Sequence, residues 1–288
     1  MSANQPTYKR QRFLLSFIQQ LKGGTYLTYL QKLVFLYTME KGSTLYEFIP
    51  YKYGAYSFQL TEDINILCKE GFLLKDKDND CIKTVKNYPI ETLYPIAKER
   101  GKKLICRAYR EYPYYTINSE IINEIFTDKE AEKLKIEKLR YKQTNQELFT
   151  IGYEGKSVEA FINLLIRNDI RLLCDVRKNP LSRKFGFSKT KLEHINNIVG
   201  IQYMHFPELG IESDKRRSLN TKEDYQQLFN EYKQNLVNYQ SQLEILYTLL
   251  RSESRIALMC FESDPEMCHR HVIREYLVNR YKIKSLDL

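Results

Sequence analysis

In the second half of the chain, apolar runs repeatedly end on residues able to do acid–base or anion chemistry. LLCDVR closes on Asp175 and Arg177, IQYMHFPELG on His205 and Glu208, and IALMCFESD on Glu262 and Asp264. Residues two apart on a strand share a face, so Asp175 and Arg177 should point the same way. Arg177 can then fork onto a phosphate while Asp175 polarises a water or a sugar hydroxyl. The alternative is an ion pair that braces the loop. Glu208 and Glu262 are the carboxylates expected to work with Asp175. Acids buried side by side separate in pKa, one becoming a proton donor and another a base. The plainer role for either is to cap a helix or pair with an arginine.

Cys268-His269-Arg270, with Cys260 upstream, invites a metal reading. The spacing lacks a second CxxC pair, and neighbours on a helix point about 100° apart, so no metal and no cofactor is expected. The preferred reading is a helix start that attracts an anion, with His269 and Arg270 gripping it and Cys268 packing. RKNPLSRKFGFSK offers Arg183 and neighbouring lysines to phosphates, and Phe185 or Phe187 to a base. Tyr153, after LFTIG, would face the same ligand. P-loop, GxGxxG, HExxH and serine-elbow patterns are absent, which argues against nucleotide-fuelled, dinucleotide-dependent and zinc-protease chemistry.

These groups need a scaffold that brings them to one edge. LFTIG, RLLCDV, IQYMHF and IALMCF read as strands, separated by helical patterns over 157–170, 188–199 and 221–250, with a closing helix over 269–280. Alternation of this kind predicts a Rossmann-like α/β domain with a mostly parallel sheet, its ligand beyond the carboxyl ends of the strands. Upstream, apolar faces at Phe13–Leu21, Leu27–Tyr37 and Leu60–Leu67 predict three helices, and FLLKDKDNDCIKTV predicts a hairpin turning within Asp76 to Asp80. Helix, helix, helix and hairpin is the order of a winged helix. Lys98, Arg100, Lys102, Lys103, Arg107 and Arg110 beside Tyr109, Tyr112, Tyr114 and Tyr115 fit either a base-stacking surface or a solvated helix face. The expected domains are 1–145, recognition module plus charged helical connector, and 146–288, carrying the site.

The 288 residues carry a net charge of +9 with 23 Tyr and no Trp, a basic surplus that points to a polyanionic partner, DNA before RNA. A generally lysine-rich composition is the plainer source. Neither a leader-like segment nor a membrane-length apolar run is seen, and six scattered cysteines read as reduced thiols. A cytoplasmic protein without membrane contact is expected, with a homodimer left open.

TIGYEGKSVEAFINLL, LLCDVRKNPLSRKFGFSK, GIQYMHFPELG and ALMCFESDPEMCHRHVI together resemble the "domain of unknown function 488" family across 149–288. The motif residues carried over are Asp175, Arg177, Pro180, Ser182, Phe187, His205, Glu208, Leu209, Gly210, Cys260, Glu262, Cys268, His269 and Arg270. The resemblance implies a Rossmann-like fold, coded near DNA-modification and phage-defence genes, acting on nucleic acid or modified bases. Gln31 to Leu73 resembles small winged-helix-like domains of bacterial toxin–antitoxin and phage-defence loci. Together these lead to an expected hydrolase of DNA-glycosylase type, with Asp175 as activating carboxylate and Glu262 next. A metal-dependent nuclease using Asp175, Glu208 and Glu262, or a non-catalytic sensor of modified DNA, are the alternatives.

Overall fold

The computed structural model describes residues 5–76, 80–88, 92–216 and 221–288. The chain divides into two compact units, Met1–Arg140 and Tyr141–Leu288. Among the described residues no helix is long and apolar enough to cross a membrane.

The first unit opens with α1 (Lys9–Gln20), β1 (Thr25–Tyr26) and α2 (Leu27–Lys41). Gly42 stops α2 at φ 62°, a left-handed cap that glycine adopts without steric cost. A hairpin of β2 (Ile49–Tyr51) and β3 (Gly54–Tyr56) precedes α3 (Phe58–Lys69), whose cap Ser57 accepts a bond from Leu60 N at 3.2 Å. Then β4 (Leu73–Lys75) and β5 (Cys81–Thr84) pair antiparallel, and β1 joins them in the order β1-β5-β4. The turn expected between β4 and β5 lies largely outside the described residues. Helices α4 (Gly101–Glu111), α5 (Ile122–Ile125) and α6 (Asp128–Leu139) complete the unit.

Polar pins set inside this core explain much of the Gln31–Leu73 pattern. The buried Gln31 amide donates to Ser57 O at 3.0 Å and accepts from Ser57 N at 2.9 Å. Lys32 donates to Ala55 O at 2.9 Å, and Asp63 accepts from Arg10 at 2.6 Å, Gln11 at 3.0 Å and Tyr46 at 3.0 Å. In the basic and aromatic stretch the tyrosines are buried or half-buried, whereas Lys98, Arg100, Lys102, Lys103 and Arg110 are exposed. Arg107 reaches Glu40, Glu99 and Glu111, Arg110 reaches Glu130, and Tyr109 is buried. Tyr112 and Tyr115 meet Phe35 edge-on at 5.2 and 4.6 Å.

The second unit runs β6 (Glu147–Gly152), α7 (Val158–Arg167), β7 (Leu172–Asp175), α8 (Lys189–Ile198), β8 (Gln202–His205), α9 (Lys222–Asn235), α10 (Gln240–Glu253), β9 (Arg255–Cys260), α11 (Arg270–Tyr281) and β10 (Ser285–Asp287). The five strands form one sheet in the order β10-β6-β9-β7-β8, with every neighbouring pair parallel. This is the Rossmann-like α/β architecture expected. Leu148, Leu172, Cys174, Ile256 and Leu258 pack one face of the sheet under α9, α10 and α11. The alternate positions Phe149, Ile151, Leu173, Ala257 and Met259 are buried too, so both faces are covered, as parallel sheets require. Ser157 caps α7 by accepting from Ala160 N at 2.9 Å. A 3-10 turn at Leu236–Tyr239 splits the long helical pattern into α9 and α10. The sequence reading missed β10, whose Asp287 accepts from Thr150 of β6 at 2.6 Å.

Candidate functional site

Strands β6, β9 and β7 are neighbours and stop together, with Gly152 opposite Cys260 and Asp175 opposite Met259. A pocket of about 220 Å³ opens beyond them, lined by Tyr153, Arg177, Lys178, Asn179, Leu181, Ile211, Cys260, Phe261 and His269. It stands at the carboxyl edge, where open α/β sheets place their ligands. Two glycines let the surrounding loops close in. A Cβ on Gly152 would lie 1.7 Å from Glu262 O, and one on Gly210 would lie 2.1 Å from Lys178 N. Both obstacles are backbone and cannot swing aside. Gly152→Ala is therefore expected to lose about 2–3 kcal/mol of stability in denaturant unfolding. A loss under about 0.5 kcal/mol would show that the loop after β9 yields freely.

Asp175 sits beneath this pocket and does not line it. Its side chain is 0% exposed, and Arg177 is 6% exposed. Asp175 Oδ1 accepts from Arg177 N at 3.1 Å and Nε at 2.8 Å, while Oδ2 accepts from Arg177 Nη2 at 2.6 Å and Tyr203 OH at 2.6 Å. Arg177 Nη1 donates to Phe187 O at 2.9 Å and Tyr153 OH at 3.2 Å. Burial opposes the Arg177 cation, but the Asp175 carboxylate outweighs it, holding the guanidinium charged well above its ordinary range. Burial, then the Asp175 charge, pushes the Tyr203 phenol well up. With both oxygens filled by donors, the carboxylate fixes Arg177 and is poorly placed to activate a water.

The other sequence candidates divide clearly. Tyr153, Arg177 and His269 line the pocket. His205 Nε2 donates to Arg177 O at 2.8 Å and so steadies the loop after β7. Phe187 does not reach a base: it is fully buried and stacks on Tyr153 at 4.4 Å, because the loop folds it back onto α7. Arg270 does not grip an anion either. It is 1% exposed and donates to Thr150 Oγ1 at 3.1 Å, Glu262 O at 2.6 Å and Ser263 O at 3.1 Å, tying the β9 loop to β6. Arg183 and Glu208 are exposed and Glu262 is half-buried, none of them among the lining residues. Asp175, Glu208 and Glu262 do not form a cluster close enough to share an ion; among the described residues, that property belongs to Cys260, Cys268 and His269.

Tyr203 and Lys156 escaped the sequence reading, whereas Lys178 and Lys184 belong to the basic loop it singled out. Tyr203, on β8, completes the Asp175 acceptor set, and only strand register reveals it. Lys156 donates to Gly152 O at 3.0 Å and Lys184 to Tyr153 O at 3.0 Å, adding two cations at the end of β6. Burial lowers both amines, Arg270 lowers Lys156 further, and Lys156 lowers Lys184 further. The Glu154 carboxylate acts in the opposite sense, raising both. Lys178 is tied to Glu212 at 2.8 Å at the mouth of the pocket.

No curated protein and no solved structure matches the chain. Residues 157–277, which carry Asp175, Arg177, Cys260, Cys268 and His269, match the family model described as Domain of unknown function DUF488, so this stretch of the second unit is similar to that family.

Proposed function

We propose that the protein acts on nucleic acid, drawing one nucleotide into the pocket at the carboxyl edge of the second unit and hydrolysing its base–sugar bond. The observation that carries this reading is the makeup of that pocket: Lys178 and Asn179 beside the exposed ring of Phe261, backed by the buried Arg177 and Tyr153, with Lys156 and Lys184 fixed at the end of β6. Cations that hold a backbone and rings that receive a base are what an extruded nucleotide needs. Glu262 takes the role of activating carboxylate, since it follows the pocket residues Cys260 and Phe261 and Asp175 is engaged with Arg177. The first unit is read as a winged-helix-like recognition module. Three helices and the sheet order β1-β5-β4, with β4 and β5 as the wing, support this. Action on modified DNA during phage defence is the setting that the sequence resemblances suggest.

The test is to incubate untagged protein with plain and base-modified duplexes, with and without EDTA, then treat half of each sample with alkali. Strand breaks that appear only after alkali are expected. Direct breaks abolished by EDTA would replace the reading with a nuclease, and shifted but intact DNA would replace it with a sensor. No effect on any DNA or RNA would remove nucleic acid altogether. Binding should fall steeply with salt, and Lys178→Ala with Lys184→Ala should reduce that salt dependence.

A further inference from the structure

We propose that Cys260, Cys268 and His269 form a three-ligand site for a zinc-class ion, with one coordination position open to the pocket.

The donor atoms of the three side chains lie within 4.8 Å of one another, and all three residues are buried. His269 Nδ1 stands 3.9 Å from Cys260 Sγ and 3.9 Å from Cys268 Sγ. Sulfur and nitrogen bound to one tetrahedral zinc are roughly 3.6 Å apart, so closing on an ion needs shifts of only a few tenths of an ångström. The other ring nitrogen fixes the tautomer. His269 Nε2 is 2.9 Å from Val176 O, a carbonyl that can only accept, so Nε2 carries the proton and Nδ1 turns its lone pair toward the sulfurs. Metal-binding histidines commonly anchor their second nitrogen in this manner.

Backbone geometry explains how adjacent residues converge. Cys268 is extended, at φ -138° and ψ 136°, where the short turn Pro265–Met267 ends. His269 is already helical, at φ -58° and ψ -16°, as the cap of α11. The helix-face argument against adjacent ligands therefore does not apply, because the chain bends between them. Cys260 enters from the end of β9, the strand next to β7, whose following residue Val176 anchors the histidine.

Charge also fits. Two thiolates neutralise a divalent ion, so the filled site buries no net charge beside Arg270 and Arg177. Binding exchanges two thiol protons for the ion. Only the thiolate form binds the ion, so affinity should weaken as pH falls. Cys260 and His269 also line the pocket, which leaves the fourth position facing it. Three protein ligands and an open position are the pattern of zinc that binds water or substrate, whereas structural zinc is closed by four. The alternative is two buried thiols donating weakly to one imidazole. It predicts no affinity for metal. The site stands or falls independently of the nucleic-acid reading.

The experiment uses the untagged full chain, stripped with chelator under reducing conditions. Zinc is titrated against a chromophoric competitor while released protons are counted, and cobalt is added to a parallel sample. One equivalent of zinc is expected, releasing close to two protons, with cobalt giving a thiolate-to-metal charge-transfer band. Cys268→Ser and His269→Gln should each weaken zinc binding at least tenfold, and Cys174→Ala, a buried thiol outside the cluster, should leave it unchanged. Because those variants could lose their fold, the unchanged protein is also alkylated with and without zinc under mild denaturation, and zinc should protect Cys260 and Cys268 selectively. Absence of a stoichiometric ion, or protection that does not fall on these two cysteines, overturns the proposal.

Discussion

Asp175→Ala unfolds the second unit about 3–5 kcal/mol more easily than the unchanged protein, because it strands a buried cation. Arg177 keeps its charge at every accessible pH and is 6% exposed, so without its carboxylate neither water nor deprotonation relieves it. Tyr203 loses its acceptor at the same stroke. Asp175→Asn keeps one acceptor oxygen and should lose less. Asp175→Leu combined with Arg177→Met orphans no charge and should be more stable than Asp175→Ala alone, despite carrying two changes. Urea unfolding followed by circular dichroism reads all three. An Asp175→Ala variant within about 0.5 kcal/mol of the unchanged protein would mean that water reaches Arg177 and that the ion pair contributes little. The same series separates bracing from catalysis. A base that attacks water through a free oxygen can be silenced by Asn at little structural cost, whereas here stability and pocket geometry should fail together.

How far the sequence could be read depended on whether a feature was local. Apolar runs ending on polar residues identified four strands of the sheet and the edge where the pocket lies. Gly23, Gly24, Gly42 and Gly71 follow the first three helices at positive φ, and Ser157 caps α7, both local features of residue type. What escaped was set by register and by single backbone bends. Three-residue β10 is too short to show a period, and its place comes from pairing with β6 far upstream. Arg270 reads as an anion grip in one dimension; its guanidinium goes to two loop carbonyls because the β9 loop passes over it. Cys268 and His269 look divergent on a helical wheel and converge because the helix has not yet begun at Cys268. The Gln31–Leu73 pattern looks like a recognition surface, yet Gln31, Lys32 and Asp63 are buried and tie helices to the β2–β3 hairpin and α1.

The second large effect concerns one of those pins. Lys32 is 1% exposed inside α2, and burial lowers its amine from 10.5 to about 7. In the unfolded chain the same amine titrates near its ordinary value. Between about pH 7 and 10.5 the unfolded state thus holds a proton that the folded state has released, and stability rises with pH wherever that is so. Below about pH 7 both states are protonated and the folded state bears the full cost of a buried cation. At about 1.36 kcal/mol per unit, Lys32 alone should add on the order of 3–4 kcal/mol of stability to the first unit between pH 7 and pH 10. Lys32→Met removes this slope. At pH 7 the variant should be the more stable, having no charge to desolvate. At pH 10 it should be slightly the less stable, because the neutral amine still donates to Ala55 O at 2.9 Å and that bond contributes about 1 kcal/mol. The check is a pair of pH-stability curves on the full chain, subtracted so that tyrosines and surface lysines common to both proteins cancel. Curves that run parallel from pH 7 to pH 10 would show that Lys32 keeps its proton in the folded state, held by the Ala55 carbonyl despite its burial.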